Sequence, residues 1–120
     1  MPCDLPTVMQ SLTRARSEIK AGEPTSMLNA VVLLSTGCRS LERESFSAIV
    51  KLVQQEGPDS IGARLAQDIL EETFDAVVEA IGCLSLRQFD DALIATTRSI
   101  QTWKTIEQLY AMQSYTGEIQ

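Results

Sequence analysis

The sequence predicts an all-α fold: three to four helices, a short first one and three long ones, in an elongated bundle completed by dimerisation. Three observations predict it. Apolar residues recur at three- and four-residue spacing through every long segment. No alternating run of β-branched and aromatic residues is bounded by a hairpin dipeptide such as Asn-Gly or Asp-Gly. Glycine and proline fall together at "AGEPTS" and "EGPD", where they punctuate the helical pattern. At 120 residues the chain fits a single domain, 1–120, with 1–6 and 115–120 expected to be flexible.

The first helix is expected from about Thr7 to Lys20, with Val8, Leu12, Ala15 and Ile19 along one side. Arg14, Arg16 and Lys20 lie towards its C-terminus, where they complement the helix dipole. The second should open at Thr25 or Ser26 as a cap and stop at Gly57 and Pro58. Between them Met27, Val31, Leu34, Cys38, Leu41, Ser45, Ala48 and Leu52 keep an unbroken phase. That phase favours one long helix, whereas Gly37, at a cost of about 1 kcal/mol relative to alanine, and a cap at Ser40 offer a break.

The third helix is expected from Asp59 or Ser60 to near Gly82, with Ala66, Ile69, Leu70, Thr73, Phe74, Val77, Val78 and Ile81 as a broad apolar face. For the fourth, Ser85 reads as a cap, Gln88 as its reciprocal partner, and Leu84 with Phe89 as a hydrophobic staple. From Leu86 onward Phe89, Leu93, Thr96, Ile100, Trp103 and Tyr110 follow a heptad-like row, and Ile106, Leu109 and Met112 an adjoining one.

The formal charge of −6 is concentrated in one place. Residues 1–58 hold six acids and six bases, 59–91 hold eight acids and two bases, and 92–120 hold two of each. Asp68, Glu72, Asp75 and Glu79 lie three or four positions apart on the third helix, with Glu71 beside Glu72, so 68 faces 72, 71 faces 75, and 75 faces 79. Such like-charge neighbours cost a few tenths of a kcal/mol per pair. Three readings stay open: a solvated face, relief by Arg14, Arg16 and Lys20 folding across it, or a charged surface for a basic partner.

A second apolar row, Phe46, Ile49, Val50 and Val53, widens the second helix beyond what one neighbour covers. Together with Trp103, Ile106, Leu109 and Tyr110 it forms the candidate partner or dimer interface, and self-association about a two-fold axis would cover it.

The chain contains no histidine, so the commonest general base and neutral metal ligand are missing. No catalytic residue, metal site or cofactor is therefore expected: di-iron bundles need Glu-x-x-His segments, and a calcium loop needs a glycine that "DILEETFDAVVE" lacks. The acidic balance argues against direct nucleic-acid binding. No apolar run exceeds "AVVLL", which predicts no membrane span. Three cysteines with no short spacing suit free thiols in a reducing cytoplasm.

What remains is binding. The leading expectation is a non-catalytic, homodimeric cytoplasmic module that holds or inhibits a partner protein, for example as an anti-activator of a transcription factor. In size, charge and helicity the chain resembles small acidic export chaperones, which implies secretion or export chaperoning as an alternative function. A coat protein lying on a lipid or polymer surface is a further one, against which the acidic balance speaks for anionic membranes.

Overall fold

Two residues, Gly22 and Glu23, are all that separate the first two helices, because Gly22 takes the left-handed conformation (φ 74°) and Pro24 occupies the first turn of the next helix. Proline is suited there, since its missing N–H would have no partner. The second helix thus begins earlier than Thr25 or Ser26, and Pro24 opens it instead of closing the first. The computed structural model describes the backbone of residues 7–57 and 59–119, and the side chains of that span apart from 46–48, 52 and 109–119. It contains α1 (Val8–Ala21), α2 (Pro24–Glu56), α3 (Ile61–Ser85) and α4 (Phe89–Ile119), with no strand among the described residues. The first six residues lie outside that description. The stretch 115–119 continues α4 as helical backbone.

Each helix packs on its sequence neighbours, and α1 also packs on α4, which closes the four into a ring. Connections this short leave consecutive helices antiparallel. At about 1.5 Å per residue the 33 residues of α2 span about 50 Å, matching the longest dimension of the 52 × 34 × 20 Å molecule.

Thr7 caps α1, its hydroxyl accepting from the Gln10 N–H while the Gln10 side chain accepts from the Thr7 N–H. The four expected apolar residues Val8, Leu12, Ala15 and Ile19 are all buried. A longer-range contact fixes the level of α1: the Val8 N–H donates to Glu44 Oε2 at 3.0 Å. Hence α1 accompanies α2 from Pro24 only as far as Glu44.

Opposite α1, α2 is continuous through Gly37. The glycine is buried against Ser11 and Leu12, where an added Cβ would sit 3.5 Å from each. Burial of Leu34 and Leu41 on either side, at about 1.5–3 kcal/mol each, outweighs the glycine's penalty of about 1 kcal/mol. Ser11 Oγ is buried at this crossing without a hydrogen bond.

The boundary between α3 and α4 differs from the expected one. Ser85 does not cap α4; it is the last residue of α3, and its hydroxyl donates back to the Ile81 carbonyl. The helix passes Gly82 because Leu84 beyond it is buried, which again outweighs the cost of one exposed glycine. It ends in a Schellman motif: the Gln88 N–H reaches the Cys83 carbonyl at 2.8 Å and the Arg87 N–H the Leu84 carbonyl at 3.1 Å. The left-handed position that this motif requires is held by Arg87 (φ 60°), so no glycine marks it in the sequence. Arg87→Gly should therefore raise stability by about 0.5–1 kcal/mol, seen as a higher urea midpoint at constant slope; an unchanged or lower midpoint would contradict this account of the turn.

The buried residues of α3 and α4 include many small ones, Ala63, Ala66, Ala76 and Ala80 on the first and Ala92, Ala95 and Ser99 on the second, beside larger ones such as Leu70, Val77 and Ile100. Small side chains let helix axes approach towards the 8 Å end of the usual range. The Thr73 and Thr102 hydroxyls meet across the pair at 2.6 Å, and Arg98 pairs with Glu79. Trp103 and Ile106, expected on a surface open to a partner, are buried in the core at 3% and 0% exposure. The α4 seam runs through Ala92, Ala95 and Ser99, and that phase turns both residues inward.

Candidate functional site

The same shift of phase has the opposite effect on α3. With Ala66, Thr73, Ala76, Val77 and Ala80 buried, Phe74 and Val78 are carried out of the expected apolar face and stand 40% and 50% exposed. Phe74 faces α2, where it lines an open groove of about 340 Å³. Leu41 and Ile49 from α2 and Leu70 and Phe74 from α3 supply the groove's apolar lining, Gln67 and Ser45 extend it, and Glu42, Glu71 and Asp75 stand around it as carboxylates. The Ser45 hydroxyl is engaged with the Glu42 carbonyl at 3.2 Å.

All five predicted carboxylates are exposed on α3. Two of them, Glu71 and Asp75, join the groove; Asp68, Glu72 and Glu79 continue around the outer surface of the helix. Glu79 pairs with Arg98 of α4, and the other described ion pair, Arg64 with Asp59, is fully on the surface. Among the described residues Asp68, Glu71, Glu72 and Asp75 have no ion-pair partner. Relief by Arg14, Arg16 and Lys20 is not what the structure shows, because α1 packs on α2 and α4, with α3 diagonally opposite it in the ring. The like-charge spacing on α3 is thus left uncompensated apart from Glu79.

The predicted apolar residues separate. Ile49 lines the groove, Val50 and Val53 are half-buried further along α2, and Trp103 and Ile106 are core. The side chains of Phe46, Leu109 and Tyr110 lie outside the described residues. Phe74, Leu41, Leu70 and Glu42 were absent from the predicted set. For Phe74 the flanking carboxylates give no guide, since Thr73 lies between the same Glu71 and Asp75 and is fully buried.

A second groove, of about 470 Å³ between α1 and α2, is lined by Thr13, Arg14, Ser17, Glu18, Asn29, Val32 and Leu33 and mixes both signs of charge. Cys38 is half-buried; burial, then the Glu42 carboxylate, pushes its thiol above the usual range, which makes it a poor nucleophile at neutral pH. No cluster of three or more carboxylates or thiols able to hold a metal ion forms among the described residues. No helix among them is long and apolar enough to cross a membrane.

No family model, no curated protein and no solved structure matches the chain.

Proposed function

We propose that the protein is a non-catalytic helical binding module that holds or inhibits a partner protein through the face shared by α2 and α3. The observation that carries this reading is the combination of an open apolar groove with carboxylates that have no ion-pair partner among the described residues. Apolar lining supplies affinity, whereas surface charge contributes chiefly to encounter rate and choice of partner. Self-association belongs to the same proposal, and Val50 and Val53 on the last turns of α2 are its seat, clear of the groove's carboxylates. The extent of 52 Å against 34 and 20 Å supports the elongated bundle in this proposal.

The test is capture. The immobilised chain should retain a defined protein from an extract of its native host, released by raised salt, and the double variant Glu72→Lys/Asp75→Lys should lose it with an unchanged helical circular dichroism spectrum. Sedimentation equilibrium should give twice the chain mass, reduced to one by Val50→Glu/Val53→Glu. Retention of nothing by the native chain would remove the partner-holding reading.

A further inference from the structure

We infer that the α2–α3 groove takes a basic amphipathic helix, whose apolar residues sit against Ile49, Leu70 and Phe74 while its Lys or Arg residues meet Glu42, Glu71 and Asp75. This rests on the partner-holding reading and adds the chemistry of the partner. Two features of the groove select that occupant.

The first is its repeat. Leu41, Ser45 and Ile49 follow one another at four-residue spacing along α2, over two helical turns or about 12 Å, and Leu70 and Phe74 on α3 keep the same spacing over one turn. An α-helix laid along the groove presents side chains at i and i+4 with the same step of about 6 Å. An extended segment would present its side chains on one face at a step nearer 7 Å. It would also leave its backbone N–H and C=O groups beside two helices whose own backbones are already paired, with no sheet edge to join. A helix satisfies its backbone internally and asks the groove only for side-chain contact.

The second is charge. Three carboxylates and no Lys or Arg line the groove, and none of the three carboxylates has an ion pair among the described residues. A second copy of this chain docked here about a two-fold axis would bring like-charged rims together, which disfavours self-association through this face. Nucleic acid and anionic lipid are repelled for the same reason. A helix with apolar residues on one face and Lys or Arg on the flanks meets both demands at once. One turn beyond Phe74, the exposed Val78 prolongs the apolar row and gives a longer helix a further foothold.

The experiment uses the full chain and two labelled peptides of about 18 residues, long enough to form helix on binding. Both carry Leu at i, i+3, i+4 and i+7; one has Lys and the other Glu on its flanks. Fluorescence anisotropy should show saturable binding of the Lys peptide, weakening as salt rises, with the Glu peptide bound at least about tenfold less well. Phe74→Ala should weaken the Lys peptide about tenfold, as loss of a central anchor does. Glu71→Gln/Asp75→Asn, which leaves the apolar lining intact, should weaken it about three- to tenfold and flatten the salt dependence. Leu28→Ala, at an exposed residue of α2 outside the groove, should change nothing. Amide shift changes should gather on 41–49 and 67–75. Absence of saturable binding, equal binding of the two peptides, or binding that both groove variants leave intact would overturn the inference. If the peptides fail while the chain still retains a protein from extract, only the basic-helix identity falls; if both fail, the partner-holding reading falls with it.

Discussion

Trp103→Ala should cost about 3–5 kcal/mol of folding stability, the range for truncating a large aromatic residue in a packed core. A domain of this kind has about 5–15 kcal/mol in total, so the variant should be near the edge of folding at 37 °C. The expectation follows from the position of Trp103, 3% exposed in the cluster that also contains Leu12, Leu34, Val77 and Ile106. Urea denaturation measures it directly, as a fall in midpoint with little change in slope. The sequence alone allowed a different role for this tryptophan, as an anchor on a surface open to another chain. In that role its loss would abolish association and leave the stability within about 0.5 kcal/mol of the native value, as is usual for surface positions. One measurement distinguishes core from contact.

Glu44→Ala should cost about 1–2 kcal/mol, concentrated on α1. The Glu44 carboxylate accepts from the Val8 N–H, one of the donors that a helix start leaves without an intrahelical partner. A bond to a charged acceptor contributes about 1.5–3 kcal/mol when sheltered, and the half-buried setting of Glu44 lowers that figure. The carboxylate also faces the positive end of the α1 dipole. Trypsin should report the change, since Arg14, Arg16 and Lys20 lie on α1 and become cleavable when that helix lifts away. Faster cleavage at those three sites, with the rest of the chain resistant, is the expected pattern; cleavage at the native rate would show that Glu44 does not hold α1 down.

The helices and most of their ends were legible in the sequence because periodicity and glycine–proline punctuation are local signals. Thr7, Gly57 and Ser60 act at or next to the ends expected for them. The α3–α4 boundary was not legible, because its signal was a backbone conformation adopted by Arg87 without a glycine to announce it, while Ser85 and Gln88 presented a convincing cap that the fold does not use. On α1 the expected row is the buried one, whereas on α3 and α4 the buried face takes in small residues that the expected rows left out. A count of large apolar residues puts Phe74 and Val78 inside and passes over Ala76 and Ala80; it ranks Leu93 with the core and passes over Ala92, Ala95 and Ser99. Where helices approach closely, the residues between them are the small ones, and bulk is displaced to the flanks. The candidate site emerged from that displacement. The carboxylates were visible as a row, but the groove beside Glu71 and Asp75 depends on which neighbours α3 has, and no single segment encodes that.

The point at which α1 stops has a mechanical meaning. Level with Glu44, the molecule passes from a part where α1 lies alongside α2 to one where, among the described helices, it does not. The groove runs from residue 41 to residue 49 of α2 and so straddles that transition. One half of its wall is therefore backed by α1, while the other, at Ile49, rests on the core without α1 alongside, so an arriving ligand would meet two differently supported halves of one wall.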